Sequence, residues 1–284
     1  MANPRHLVLS FRWLTFLSLA LSGVVSPHLA RSQELPPGEE EATAHLDASP
    51  RHGEWVDFHA GDGDTVRAWV VYPERADRAP VVLVVHEIYA LTDWIRGVAD
   101  QLAAEGFIAI APDLISGKGP EGGGSESVDR QGAVAAIRSL DPQEVTRRLK
   151  AAADYGTSLP AATDAVGIVG YCWGGSTSFR MATEWPELDA AVVYYGTSPE
   201  TEALSRIQAP VLGLYGEDDA RVNATIPEAR AEMERLGKHY EVTIYDGAGH
   251  GFLRQQEGRE GANMEATRQA WPRTIQFFRE HLES

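Results

Sequence analysis

From Trp55 to the C-terminus, the hydrophobic pattern of the chain switches repeatedly between two periods. Short apolar runs predict strands at Trp55–His59, Val66–Tyr72, Val81–Val85, Phe107–Ala111, Val166–Val169, Ala190–Tyr195, Val211–Tyr215 and Tyr240–Tyr245. Those from Val81 to Tyr215 are continuously apolar, as expected of strands buried on both faces. Between the runs, apolar residues recur every three or four positions. That spacing predicts helices over Asp93–Glu105, Val128–Arg138, Gln143–Tyr155, Gly175–Glu184, Pro227–Leu236 and Thr267–Leu282. Pro227 suits a helix start, where a missing N–H costs nothing. Pro272 lies inside the last pattern and predicts a kink or a restart there.

Alternating strands and helices imply an α/β fold, with a mostly parallel central sheet and helices on both faces. Gly61-Asp62-Gly63-Asp64 separates the first two strands and predicts an N-terminal antiparallel hairpin at one sheet edge. Residues 51–284 are long enough for one such domain. Gly117 to Ser127 is rich in glycine and reads as a mobile loop.

The first 50 residues have another character. Arg5, His6 and Arg12 precede a mostly apolar run of 13 residues, Trp13 to Val25, and Ala30-Arg31-Ser32 offers a small-x-small cleavage site. Residues 1–32 therefore read as a secretory signal peptide. The run is shorter than the ~20 residues that a membrane span needs. Export to the periplasm or the medium is expected, with no membrane attachment after cleavage. Gln33 to Pro50 is acidic, lacks periodicity and reads as a flexible linker. Cleavage would remove Arg5, Arg12 and Arg31 and no acid, taking the formal net charge from −16 to −19. Such a surface repels nucleic acid and anionic lipid.

The chain has one cysteine, which cannot form an internal disulfide. It lies in Gly170-Tyr171-Cys172-Trp173-Gly174-Gly175, between a predicted strand and a predicted helix. This is the context of a nucleophile elbow, with Cys in place of the commoner Ser. Small residues belong at Gly170 and Gly174 because the turn is sharp. The helix start behind Cys172 favours its thiolate.

The partners expected of such a nucleophile are an acid and then a histidine, in that chain order. Gly247-Ala248-Gly249-His250-Gly251-Phe252 follows a predicted strand, which makes His250 the candidate base. Gly216-Glu217-Asp218-Asp219 follows another, so Asp218 or Asp219 could orient it; position favours Asp219. All three lie past C-terminal strand ends, where open parallel sheets place their sites. His86-Glu87 lacks a second histidine at zinc-motif spacing, so no metal is expected.

Val85-His86-Glu87-Ile88-Tyr89-Ala90-Leu91, Ala111-Pro112-Asp113-Leu114 and the Cys172 motif, followed by the Asp219 and His250 loops, resemble the dienelactone hydrolase family from about Glu54 to Leu282. The resemblance implies a single-domain α/β-hydrolase with a triad of Cys172, His250 and Asp219, which selects Asp219 over Asp218. It implies no cofactor and a small-molecule lactone or ester as substrate. Glu87 matches a glutamate that holds the resting thiol and releases it when substrate binds. Arg254 matches an arginine that grips the substrate carboxylate. The chain departs from the family where dienelactone-opening members carry Tyr-x-Arg: those places hold Ile115, Ser116 and Gly117. Lys118 is the candidate substitute for the missing cation.

The chemistry expected of these residues is acyl transfer from Cys172 to water, with the oxyanion held by the backbone N–H groups of Ile88 and Trp173. The competing readings are a general carboxylesterase or thioesterase, and a non-catalytic ligand-binding protein on the same fold.

Overall fold

A computed structural model describes residues 34–61 and 63–283, together with Met1. The expected signal peptide therefore falls outside the described residues. The strands are β1 (Gly53–His59), β2 (Thr65–Val71), β3 (Ala79–Val85), β4 (Ile108–Pro112), β5 (Ala162–Tyr171), β6 (Ala190–Tyr194), β7 (Val211–Asp218) and β8 (Tyr240–Gly249). They form one eight-stranded sheet in the order β1-β2-β4-β3-β5-β6-β7-β8. β1 pairs antiparallel with β2, and β2 with β4; every other pairing is parallel. The sheet and its edge hairpin are those the pattern predicts.

The helices are α1 (Ala42–Ala48), α2 (Asp93–Ala104), α3 (Arg130–Arg138), α4 (Pro142–Ser158), α5 (Trp173–Glu184), α6 (Ala220–Asn223), α7 (Ile226–Arg235) and α8 (Ala262–Leu282). All seven residues of β3 are buried, and they serve both faces by turns. Val81, Leu83 and Val85 pack with residues of α4, α5 and α7. Val82 and Val84 pack with residues of α2 and α8. Two-residue periodicity within a continuously apolar run thus builds two cores around one sheet. Each fully buried Val or Leu contributes about 1.5–3 kcal/mol relative to exposure.

Three expectations need correction. α8 runs from Ala262 through Pro272 to Leu282 without a restart. Ala266, Ala270, Trp271, Ile275 and Phe278 are buried along it, and that packing outweighs the hydrogen bond lost at proline. The Gly117–Ser127 loop, read as mobile, makes two 3-10 turns, Pro120–Gly122 and Ser125–Ser127. Buried Asp113 pins it by accepting from Ser125 N at 2.7 Å and Ser125 Oγ at 2.7 Å.

The segment before the first strand also departs from expectation. Residues 34–50, expected to be a flexible linker, lie against the domain as a strap followed by α1. Pro36 and Pro37 are buried. Gln101 Nε2 donates to Glu34 O at 3.1 Å, Gln256 Nε2 to Pro36 O at 2.9 Å, and Trp94 Nε1 to Pro37 O at 3.0 Å. Asp100 on α2 accepts from Ser49 at 2.6 Å and pairs with His45 at 2.8 Å. The strap is ordered by polar side chains that satisfy its backbone carbonyls, a cause that leaves no hydrophobic period to read.

Candidate active site

Cys172 sits at the junction of β5 and α5 with φ 57° and ψ −113°, a strained conformation for a residue with a side chain. Its N–H donates to Tyr194 O at 3.1 Å, and its carbonyl accepts from Ser176 N at 3.1 Å. The flanking glycines are obligatory. A Cβ at Gly170 would lie 1.9 Å from Gly174 O, and one at Gly174 would lie 2.3 Å from Val85 O. The second contact also shows that the end of β3 packs directly on the start of α5. That packing brings Ile88 and Trp173 to one small apolar cluster around Ala90 and Ile115.

Strand register delivers the other two residues. β7 and β8 are parallel, with an irregularity between Gly216 and Asp218 that pairs Asp218 with Gly249. The next residue on each strand, Asp219 and His250, therefore leaves the sheet beside its neighbour. Asp219 Oδ2 lies 2.5 Å from His250 Nδ1. His250 Nε2 lies 3.1 Å from Cys172 Sγ. Asp218 turns to the surface and pairs with Arg259, so the structure selects Asp219 as the residue on the ring. Tyr195 presents an edge to His250, with ring centroids 5.2 Å apart. Its φ of 41° marks a second strained residue at a strand end, and sequence reasoning missed it.

Burial disfavours a charged ring at His250. The hydrogen bonds to Asp219 and Cys172, and the charges of both, outweigh burial and push its pKa up to about 9. A protonated His250 ring is thereby favoured near neutral pH. His86 behaves differently. Its buried Nδ1 faces Glu87 O at 2.9 Å, and its Nε2 accepts from Leu114 N at 3.2 Å. This fixes a neutral ring with the proton on Nδ1, and burial pushes its pKa down. The ring stacks on Trp173 at 5.6 Å. His86 is thus a scaffold for the Ile88–Trp173 region. Among the described residues, no group of three or more His, Cys, Asp or Glu is placed to hold a metal ion.

The remaining predicted residues are placed differently from expectation. Glu87, expected on the resting thiol, lies with Oε2 2.6 Å from Arg254 Nε, and both side chains are buried. The thiol instead faces His250. Burial pushes the Glu87 pKa up, against the pull of Arg254 and His250. Arg254, expected to grip substrate, is engaged by carboxylates of the chain itself: Glu87 and, from the strap, Glu39. Lys118 pairs with Glu144 at 2.8 Å. It lines a depression with Asp64, Arg147 and Arg148 whose lining includes neither Cys172 nor His250.

The sequence profile of the Dienelactone hydrolase family matches residues 66–282. The chain belongs to this family, and its fold is that of the α/β-hydrolases. A protein of Saccharolobus solfataricus, provisionally named a carboxymethylenebutenolidase, is 31% identical over 78% of this chain and 96% of its own. A protein of the same provisional name from Salmonella typhimurium is 30% identical over 77% of this chain and 84% of its own. A crystal structure from Klebsiella pneumoniae, provisionally named a dienelactone hydrolase, superposes with a TM-score of 0.70 at 26% identity. That match covers 81% of this chain and 99% of the other.

Proposed function

We propose that this protein hydrolyses lactones or activated esters through an acyl-thioester on Cys172. The observation that carries the reading is the hydrogen-bonded line from Asp219 Oδ2 to His250 to Cys172 Sγ, at 2.5 and 3.1 Å. The provisional names of the relatives, carboxymethylenebutenolidases, support the same reaction class.

The thiolate attacks the carbonyl carbon, and the N–H groups of Trp173 and Ile88 receive the developing oxyanion. The tetrahedral intermediate collapses, the C–O bond breaks, and imidazolium His250 gives its proton to the leaving oxygen. Neutral His250 then takes a proton from water, whose oxygen attacks the thioester. Collapse releases the carboxylic acid and restores the thiol. Asp219 keeps the imidazole in one tautomer and balances its charge. A thiolate leaves the intermediate more readily than an alkoxide or amide ion does. Enol-lactones, aryl esters and thioesters are therefore the favoured substrates, and peptides are disfavoured.

The test is hydrolysis of an enol-lactone and a 4-nitrophenyl ester by wild type and Cys172→Ala, with circular dichroism to check the fold. Loss of both activities in a folded variant is expected; retained turnover overturns the assignment. We also propose that residues 1–32 direct export, on the charged start, apolar run and cleavage site described above.

A further inference from the structure

Arg254 Nη1 pairs with Glu39, and the Glu39 N–H donates to Arg254 O at 2.9 Å. Glu39 is therefore held by side chain and backbone to a residue four positions past His250. The other Glu39 oxygen faces Arg130 Nη1 at 3.7 Å. Both cations approach the Tyr89 ring: Arg130 is 3.6 Å and Arg254 is 5.4 Å from its centre. Two guanidiniums gathered around one carboxylate beside an aromatic ring make an anion site by their chemistry. Glu39, Tyr89 and Arg130 also line a cavity of about 470 Å³, which leaves space beside Glu39 and Arg130; Arg254, Cys172 and His250 are not among its lining residues.

We infer that Glu39 is a specificity-determining residue: from the chain's own strap it fills an anion subsite formed by Arg254 and Arg130, and so selects uncharged acyl groups over carboxylate-bearing ones. This rests on the function proposed above. The strap is fixed on either side of Glu39, through Pro36 and Pro37 before it and His45 and Ser49 after it. Arg254 is already balanced by buried Glu87. A substrate carboxylate entering here would make a third negative group beside two cations, and it would have to displace Glu39. The Glu39 side chain is 44% exposed, so it can be exchanged for a neutral amide without opening the core.

The test compares 4-nitrophenyl hydrogen glutarate with 4-nitrophenyl pentanoate, which resemble each other in length but differ in charge. Wild type should favour the neutral ester. Glu39→Gln should raise the ratio of kcat/KM for the anionic ester to that for the neutral ester by about tenfold, mainly through KM. Adding Arg130→Gln to Glu39→Gln should reverse part of the gain. High salt should shrink it, because the charges are partly exposed. An unchanged ratio in Glu39→Gln, or a wild type that already prefers the anionic ester, overturns the inference. Failure of the hydrolase reading is separately visible: neither ester would then depend on Cys172.

Discussion

Glu87 Oε2 lies 2.6 Å from Arg254 Nε, and both side chains are almost wholly buried. The pair ties the loop after β3 to the loop carrying His250. It also commits Glu87 to a cation, while the thiol of Cys172 faces the imidazole. The Cys172 thiol and the His250 imidazole thus already face each other at 3.1 Å.

Removing one charge of a buried pair leaves the other uncompensated. Glu87→Gln should therefore destabilise the fold by about 2–4 kcal/mol, moderated because Glu39 still neutralises Arg254. Urea unfolding of wild type and variant is the check. A loss below about 0.5 kcal/mol would mean that Arg254 gains nothing from Glu87.

Asp219 holds His250 Nδ1 at 2.5 Å and also caps α6, accepting from Val222 N at 3.4 Å. Asp219→Asn keeps the size but permits the wrong tautomer. The kcat for an aryl ester should fall roughly 10²- to 10⁴-fold, and stability near neutral pH should fall as well, because protonated His250 loses its counter-charge. A variant within about threefold of wild type would remove Asp219 from the triad.

The elevated pKa of His250 predicts how stability depends on pH. In the unfolded chain a histidine titrates near ~6.5. In the folded protein His250 titrates at about 9. The stability from protonated His250 is complete below the unfolded value and is lost as pH rises through the folded one. The stability gap between wild type and His250→Gln should then be larger near pH ~6 than near pH ~10. Denaturant midpoints at both pH values report it. A gap that grows with pH would contradict the ion pair.

The parts of the molecule that the sequence disclosed are those with local causes. Apolar runs located every strand of the sheet. The glycines around Cys172 announced a turn that only they permit. Asp219 and His250 were legible because both follow strand ends. The partnership of Glu39 with Arg254 was not, because it joins residues 215 positions apart. An acidic stretch without periodicity reads as unstructured, and only the carbonyl acceptors met by Trp94, Gln101 and Gln256 reveal otherwise. Lys118 stands beside the place of a missing arginine, and nothing in the sequence pattern shows that Glu144 holds it.

The proposed signal peptide has a direct consequence for the strap. Exported protein should begin near Gln33, immediately before Glu34, leaving Glu39 close to the new N-terminus. N-terminal sequencing of protein recovered outside the cytoplasm checks this. Recovery of the chain with Met1 intact would contradict cleavage.

The proposed reaction passes through a covalent acyl-enzyme on Cys172. The most direct measurement uses 4-nitrophenyl trimethylacetate, whose bulky acyl group slows the second step. Rapid acid quench followed by mass spectrometry reads the adduct, while absorbance reads the released nitrophenolate. A burst approaching one equivalent per active site is expected, with the trimethylacetyl group on the peptide containing Cys172. Steady release of nitrophenolate with that peptide unmodified, or equal turnover by Cys172→Ala, would contradict it.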